Sequence, residues 1–383
     1  MLRRLLVAAT ALVLILAGCT GGDDDPVEPD TRTTTGVTDD EVIVRVPEGA
    51  EPHAVVGAAA RIERTNREGG VQGRRVLLED EPTGDTFALL PAADDSLDPA
   101  AGDDDGTTPD IVNRPVFGAA HNGSFCSVDY AFSVIGCQAQ PSSIWGDLVA
   151  LAGDFGDSDR TALVMALEGS AADLVVESFE AAGFTTTTVG DDVFDSVPSV
   201  VATVNEADPD VVVFPSAYED TNLAAHALID AGYSGVQTVQ TAGPPPPTAS
   251  GGRGLPEGTT VLTDFSPFES ADENPIVQRL IDDVREYEET KGLDPTPLSD
   301  DLAAGYWAAD AFLDVLDATG SDLTVERFLQ RANDDFEWQA EATAGPASWP
   351  RNHRVPVPCG SLVRYTADGT ETAVGYSCGR NLT

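Results

Sequence analysis

The side chains best suited to acid–base or metal chemistry are four histidines, His53, His121, His226 and His353. None lies in an H-E-x-x-H arrangement or at another paired spacing that would place two imidazoles on one helix face. The sequence also lacks a G-x-S-x-G nucleophile elbow, a P-loop and a G-x-G-x-x-G turn. We therefore expect a protein that is not an enzyme and that uses no cofactor or metal.

The first cysteine, Cys19, has a different context. Residues 16–19 read LAGC and end an apolar run over 5–16 that follows two arginines. This pattern is typical of a secretory signal, and the cysteine after small residues resembles the lipobox of bacterial lipoproteins. A run of about 12 residues is shorter than the ~20 of a membrane-spanning helix. We expect a lipoprotein signal peptide over 1–18, lipidation of Cys19 and a disordered acidic tether over 19–36. An ordinary secretory signal or a short membrane span is the alternative.

The remaining cysteines are Cys126, Cys137, Cys359 and Cys378. An even number of cysteines in an exported chain indicates two disulfides. Proximity in sequence favours the pairs Cys126–Cys137 and Cys359–Cys378, although three pairings are possible. A zinc site is the other possibility, but no C-x-x-C pair is present.

The chain is strongly acidic, with 65 aspartates and glutamates, 21 lysines and arginines and a net charge of −44. Phosphate-rich partners would be repelled, so we expect no nucleic acid and no anionic lipid surface as a partner. The acidic residues are spread over the whole sequence. This distribution is typical of a solvated surface that aids solubility.

Strand-like and helix-like patterns alternate along the chain. The first series predicts strands at 41–46, 75–79, 87–90 and 115–118 and helices at 54–66 and 144–152. The second predicts strands at 161–165, 185–189, 211–214, 236–240 and 259–264 and helices at 171–182, 196–205 and 222–231. Helices follow at 275–287, 300–317 and 324–332, and short strands and turns fill the tail. Repeated βα units over roughly 350 residues predict two α/β lobes with parallel sheets.

Four short stretches carry a resemblance to a known family. Residues 36–43 read GVTDDEVI, 66–74 read NREGGVQGR, and 207–213 read ADPDVVV. Pro267-Phe268-Glu269 is followed by Asn274-Pro275. In this order and spacing they resemble the type I periplasmic binding proteins of the leucine/isoleucine/valine class, the solute receptors of ABC importers. The cysteine loop and the tail are similar to an actinobacterial branch of that class.

The resemblance implies an α/β fold of two Rossmann-like lobes joined by a three-strand hinge, the type I periplasmic binding protein fold. Such lobes close on a ligand like a clamp. Mapped onto this sequence, the first lobe comprises 37–155 and 275–332, and the second comprises 156–264 and 333–383. Ligand sites in such sheets form outside the carboxyl ends of the strands.

The resemblance also implies where a ligand is held. In the family, one lobe binds a carboxylate through hydroxyls and backbone N–H groups at a helix start. The matching segment is 118–124, which makes the amides of Ala120 and His121 and the hydroxyl of Ser124 the candidates. An ordinary loop that turns at Gly123 is the alternative.

The second lobe of the family offers an aromatic ring and an acid for an ammonium group. The candidates follow the strands that end at 165 and 214, and they are Glu168, Ser170, Ser216, Tyr218 and Glu219. We expect Tyr218 to pack over a ligand and Glu168 or Glu219 to meet a cation. Surface solvation is the alternative for each glutamate.

Two features depart from the family. After the strand at 236–240, where amino-acid binders often have an acid, residues 241–243 read TAG and four prolines follow. This puts an α-amino acid ligand in doubt. The strands at 75–79 and 87–90 are also too close in sequence for a helical crossover. Either the family's helix is missing or one strand is misassigned.

The sequence therefore predicts a monomeric, lipid-anchored solute receptor on the extracytoplasmic face of the cell membrane. It would deliver a small polar ligand, such as an amino-acid-like molecule, an amide or a short carboxylate, to the permease subunits of an ABC importer. A ligand-sensing lipoprotein of the same fold is one alternative. A degenerate member that binds no small molecule is the other.

Overall fold

The computed structural model describes residues 35–80, 86–92, 114–121, 123–155, 159–165, 172–215, 219–240 and 254–382. The predicted signal peptide, Cys19 and nearly all of the predicted tether lie outside these residues. Within them, no helix combines the length and the apolar character needed to cross a bilayer.

The described residues form α-helices and β-strands that alternate over most of the chain. The strands are β1 (Glu41–Arg45), β2 (Arg75–Glu79), β3 (Ala88–Ala92), β4 (Val116–Gly118), β5 (Ala131–Ser133), β6 (Arg160–Met165), β7 (Phe184–Val189), β8 (Val211–Phe214), β9 (Val236–Gln240), β10 (Thr260–Thr263), β11 (Phe336–Ala340), β12 (Ala344–Trp349), β13 (Cys359–Thr366) and β14 (Gly369–Cys378). The helices are α1 (Pro52–Arg67), α2 (Ile144–Ala152), α3 (Ala172–Ala181), α4 (Val197–Ala207), α5 (Glu219–Asp230), α6 (Pro275–Lys291), α7 (Asp300–Thr319) and α8 (Val325–Ala332).

Local chemistry sets the limits of the long helices. The side chain of Asn274 accepts a hydrogen bond from the Ile276 amide at 3.0 Å, and Pro275 occupies the first turn of α6. Gly292 ends that helix in the left-handed conformation, with φ 68°. Ser299 caps α7 by accepting from the Leu302 amide at 3.2 Å. The Asn274 and Ser299 side chains satisfy backbone N–H groups that a helix start leaves without partners, and Gly292 allows the chain to leave the helix.

The first sheet is parallel, with strand order β2-β1-β3-β4-β5. Its register explains the short connection between β2 and β3. Val44 of β1 pairs with Leu78 near the end of β2 on one side and with Ala88 at the start of β3 on the other. Because β3 begins level with the end of β2, the two strand ends that the connection must join are two strand spacings, about 10 Å, apart. Both predicted strands therefore exist, and the possibility that one was misassigned is wrong.

The second sheet has the order β14-β13-β10-β9-β8-β6-β7. Strands β6 to β10 pair in parallel, and β13 and β14 extend the sheet as antiparallel strands. The apolar sequence of β8 is buried over its whole length, as expected for a strand covered on both faces.

Hydrophobic clusters cover both sheets, a large and a small one at the first sheet and one on each face of the second. The core of the first sheet includes residues of α1, α6, α7 and α8, and also Trp338 and Trp349 of the β11–β12 hairpin. Helix α2 packs instead with the second sheet, where Trp145 and Leu148 lie beside Val164 and Val213. The packing thus places α2 with the second lobe and the hairpin with the first. The boundaries predicted at 155 and 333 instead assign α2 to the first lobe and the hairpin to the second.

The chain passes between the two sheets three times, after β5, after β10 and after β12. The first and third crossovers run side by side, because the Val357 amide donates to the Ile135 carbonyl at 2.8 Å. The second contacts the β11–β12 turn, where the Ser266 amide donates to the Thr343 carbonyl at 2.8 Å. These backbone contacts gather the three crossovers into one hinge region.

Both predicted disulfides are confirmed, Cys126–Cys137 and Cys359–Cys378. Each lies next to a crossover. Cys137 is in the first, where its amide donates to the Val355 carbonyl at 3.1 Å, and Cys359 directly follows the third. The zinc alternative is therefore wrong for these four residues.

Replacing Gly305 with alanine should lower the free energy of unfolding by about 1–3 kcal/mol, because α1 and α7 cross with their backbones in contact. A Cβ at Gly305 would lie 1.9 Å from the Ala54 carbonyl oxygen, and one at Gly57 would lie 2.1 Å from the Leu302 carbonyl oxygen. Helix propensity alone would make the substitution stabilising by about 1 kcal/mol. The sign of the change in the free energy of unfolding, measured by urea denaturation, therefore shows which effect is larger. Gly375→Ala is the control, since no atom lies within 4 Å of its Cβ position.

Candidate functional site

The loops that follow the strands of both sheets meet at one pair of side chains. His121 lies three residues beyond β4 of the first sheet, and Asp264 directly follows β10 of the second. The His121 Nε2 atom is 2.8 Å from the Asp264 Oδ2 atom, and the side chains are 30% and 23% exposed. The pair is therefore half-buried, at the edge where the carboxyl ends of the strands converge.

Three further acidic side chains surround this pair. Asp300 and Asp301 begin α7, and Glu269 lies in the second crossover. Burial raises the pKa of Asp300 to about 8, and the charges of Asp264 and Asp301 add to the rise, whereas His121 opposes it. Burial also raises the pKa of Asp301, with a further contribution from Glu51. Asp300 thus keeps its proton near neutral pH, which limits the repulsion inside the cluster.

Two tyrosines of the antiparallel strands complete these surroundings. The Tyr376 hydroxyl donates to the Gly345 carbonyl oxygen at 2.7 Å and links β14 to β12. Burial raises the pKa of Tyr376, with Asp264 as a second cause. Burial raises the pKa of Tyr365 to about 12, and the charges of Glu269 and Asp300 contribute. Both hydroxyls therefore remain neutral donors at physiological pH.

The structure brings only part of the predicted ligand-binding set into view. Ala120 is fully buried against β4 and β5, and His121 contacts Asp264. Ser124 is partly buried in the same loop. Glu219 is the first residue of α5. The other candidates, Glu168, Ser170, Ser216 and Tyr218, lie outside the described residues.

Sequence reasoning missed Asp264 and Asp300. One signal could have found Asp264, because it is the last residue of the strand predicted at 259–264 in the second lobe, and ligand sites form at the carboxyl ends of such strands. For Asp300 the only sequence signal is a serine cap before a helix, which marks a helix start and not a binding site.

Replacing Asp300 with asparagine should raise the free energy of unfolding, relative to the wild type, by more at pH 8 than at pH 5. The pKa of Asp300 rises from 3.8 to about 8 on folding, so the folded protein holds a proton that the unfolded chain has released. The free energy of unfolding of the wild type should therefore fall as pH rises from about 4 to 8. Asparagine does not titrate, so the variant should lose this part of the pH dependence. Chemical denaturation of both proteins at several pH values measures the difference, and parallel profiles would contradict it.

A pocket of about 380 Å³ lies elsewhere, lined by Asp129, Tyr130, Leu329, Gln330, Asn333 and Pro350. Tyr130 precedes β5, so the pocket is at the amino end of that strand, opposite the edge that carries His121. Across the part of the chain that the structure describes, no three or more histidine, cysteine or carboxylate side chains are grouped to hold a metal ion.

Two α/β lobes with parallel sheets, three crossovers and strand-end loops that meet between the sheets define a type I periplasmic binding protein fold. The chain belongs to the family described as "Periplasmic binding protein", whose model matches residues 113–370. The resemblance noted in the sequence is thereby confirmed. No curated protein matches the chain.

Solved structures show the same fold at low identity. A fatty acid ABC transporter substrate-binding protein from Thermomonospora curvata is 15% identical, with a TM-score of 0.64 and coverage of 90% of this chain and 94% of that one. A putative branched-chain amino acid ABC transporter from Rhodospirillum rubrum is 17% identical, with a TM-score of 0.61 and coverage of 87% and 99%. A substrate-binding protein of a branched-chain amino acid transporter from Streptococcus pneumoniae, in complex with isoleucine, is 12% identical, with a TM-score of 0.61 and coverage of 88% and 99%.

Proposed function

We propose that the protein is an extracytoplasmic solute-binding lipoprotein that captures a small polar molecule between its lobes and delivers it to the permease of an ABC importer. The observation that carries this proposal is the meeting of strand-end loops from both sheets at His121 and Asp264, 2.8 Å apart. Family membership and the transporter-associated structural neighbours support it. Binding would proceed by closure of the lobes, with no covalent chemistry.

The proposed contacts of the solute come from both lobes. In the first lobe they are the amides of Ala120 and His121 and the Ser124 hydroxyl. In the second lobe they are Glu168, Ser170, Ser216, Tyr218 and Glu219. The acidic groups near His121 favour a solute that offers hydrogen-bond donors to this side, such as an amide or an amino-acid-like molecule. A short carboxylate would have to place its charge against the backbone amides of the first lobe.

Thermal unfolding in the presence of candidate solutes tests the proposal. A panel of amino acids, amides, urea and short-chain acids should contain at least one solute that stabilises the folded protein. The stabilisation should follow RT ln(1 + [L]/Kd), about 2.7 kcal/mol at 100-fold excess over Kd. The absence of any stabilisation across the panel would contradict solute binding and favour a degenerate member of the family.

Matched variants locate the site. Glu168→Gln and Tyr218→Ala should abolish most of the shift produced by a stabilising solute. Glu177→Gln is the control, because Glu177 is an exposed acid on α3 of the same lobe. Equal shifts in all three variants would place the solute elsewhere.

The lipid anchor and the delivery step require separate tests. Cys19→Ser should release the protein from the membrane fraction of the producing cells, because no thiol would then receive the lipid. Loss of solute uptake on deletion of an adjacent permease gene would support transport, whereas an adjacent receptor kinase that responds to the same solute would support sensing.

A further inference from the structure

The contact between His121 and Asp264 joins segments of two different sheets. His121 follows Ala120, which packs in the hydrophobic cluster of β4 and β5. Asp264 follows β10, which pairs with β9 and β13 in the second sheet. A rotation of one lobe relative to the other would therefore change the distance between the imidazole and the carboxylate.

The carboxylates around this contact also belong to different lobes. Asp300 begins α7, whose next buried residue, Leu302, packs in the core of the first sheet. The charge of Asp264 raises the pKa of Asp300, whereas His121 lowers it. Asp264 and Asp300 thus repel each other whenever both are ionised, and a protonated His121 offsets the repulsion.

The titratable groups around this contact belong to five parts of the chain among the described residues. They are Asp264 and Glu269 of the second crossover, Asp300 and Asp301 of α7, Tyr365 of β13, Tyr376 of β14, and Glu51 and His53 at the start of α1. The tyrosines are neutral up to high pH, because burial raises the pKa of each hydroxyl. The charge of the cluster in the neutral range therefore depends on His121 and the aspartates.

We propose that His121, Asp264 and Asp300 form a proton-sensitive contact between the lobes, so that the balance of open and closed protein depends on pH. A protonated His121 holds the lobes together through Asp264, and loss of its proton favours opening. The proposal rests on the clamp closure proposed above. It adds that acidity, and not the solute alone, biases the clamp.

The pH range follows from ordinary histidine chemistry. An unperturbed imidazole has a pKa of about 6.5, and neighbouring carboxylates favour its charged form. Opening removes Asp264, whereas Asp300 and Asp301 stay on the lobe that carries His121, so protonation of His121 and closure favour each other through Asp264. A difference of one pKa unit between the states changes the ratio of closed to open protein by about tenfold across the titration. We expect most of the change between about pH 6 and 8.

Distance measurements between spin labels on the two lobes, without added solute, test the proposal. Glu68→Cys at the end of α1 and Glu177→Cys on α3 provide exposed attachment sites in a protein that carries Cys19→Ser, since the other four native cysteines are paired. The label distances of the otherwise wild-type protein should shift towards the open state between pH 5.5 and 8.5, with a change in the closed-to-open ratio of about tenfold. In H121Q most of this shift should be lost, and only the part that comes from ionisation of Asp300 should remain.

The control is His226→Gln, which should keep the wild-type pH dependence. His226 lies on α5, and its Nε2 atom is 2.9 Å from the Gly254 carbonyl oxygen within the second lobe. If H121Q fails to fold, Asp264→Asn removes the same charge pair and should also remove most of the shift. A pH-independent distance in the wild type, or an unchanged shift in H121Q or D264N, would overturn the proposal. Solute binding is judged separately by the thermal unfolding panel, so failure of the pH proposal can be distinguished from failure of solute binding.

Discussion

Replacing Asp310 with alanine should lower the free energy of unfolding by about 3–5 kcal/mol, because it leaves a buried guanidinium without its partner. The Asp310 Oδ1 atom is 2.5 Å from the Arg61 Nε atom, and these side chains are only 17% and 10% exposed. The second oxygen of Asp310 accepts a hydrogen bond from the Trp338 Nε1 atom at 3.0 Å. The variant therefore loses an ion pair and a hydrogen bond to a charged acceptor, both between α7 and its neighbours. Urea unfolding followed by tryptophan fluorescence measures the loss.

The control for this variant is a surface ion pair between α1 and α6. Arg67 and Glu286 lie 2.8 Å apart, but their side chains are 34% and 55% exposed. Water and salt screen such a pair, so Glu286→Ala should cost at most about 1 kcal/mol. Similar losses in Asp310→Ala and Glu286→Ala would show that burial does not set the strength of the inner pair.

Replacing both Cys359 and Cys378 with serine should cost about 3 kcal/mol, because the disulfide limits the unfolded chain. The bond closes a loop with a sequence separation of 19 and joins residues that face each other across β13 and β14. Cys359 is also buried, with 4% of its surface exposed, so a serine hydroxyl there adds a desolvation cost. Chemical denaturation under non-reducing conditions measures the change.

The second disulfide provides a matched comparison. Cys126 and Cys137 have a sequence separation of 11, so the paired serine variant should lose slightly less if loop entropy dominates. A loss below about 1 kcal/mol in the Cys359/Cys378 variant would mean that the unfolded β13–β14 segment stays compact without the bond.

Most secondary structure could be predicted from the sequence, because the apolar pattern is local. The limits of β2, α2, β8 and β9 agree with the prediction at both ends. The exception is β5, whose three residues carry no period of their own. It exists as a strand because Phe132 pairs in register with Phe117 of β4, which the sequence pattern does not show.

The short connection between β2 and β3 shows a second feature that the sequence alone could not predict. The sequence gives its length, but the stagger of β3 against β1 decides whether that length is sufficient. Register depends on contacts between distant residues, such as Val44 with Ala88, so a rule about average crossovers could not predict it.

The candidate site was predicted only in part. The loop with Ala120, His121 and Ser124 was found through its place after a strand and its resemblance to a family. Asp264 and Asp300 were not found, because acids occur throughout this sequence and neither stands out by type or spacing. They join the candidate site only because folding brings them near His121, from 143 or more positions away in sequence.

The sequence by itself determined the order of strands and helices, the two α/β series and the pairing of cysteines close in sequence. These follow from the periodicity of apolar residues and from short loops. Only the tertiary structure decided which core each element joins: α2 packs with the second sheet, and the β11–β12 hairpin packs with the first. An apolar face specifies that a helix or strand is buried, but the partner that buries it is set by the register and crossovers of the whole chain.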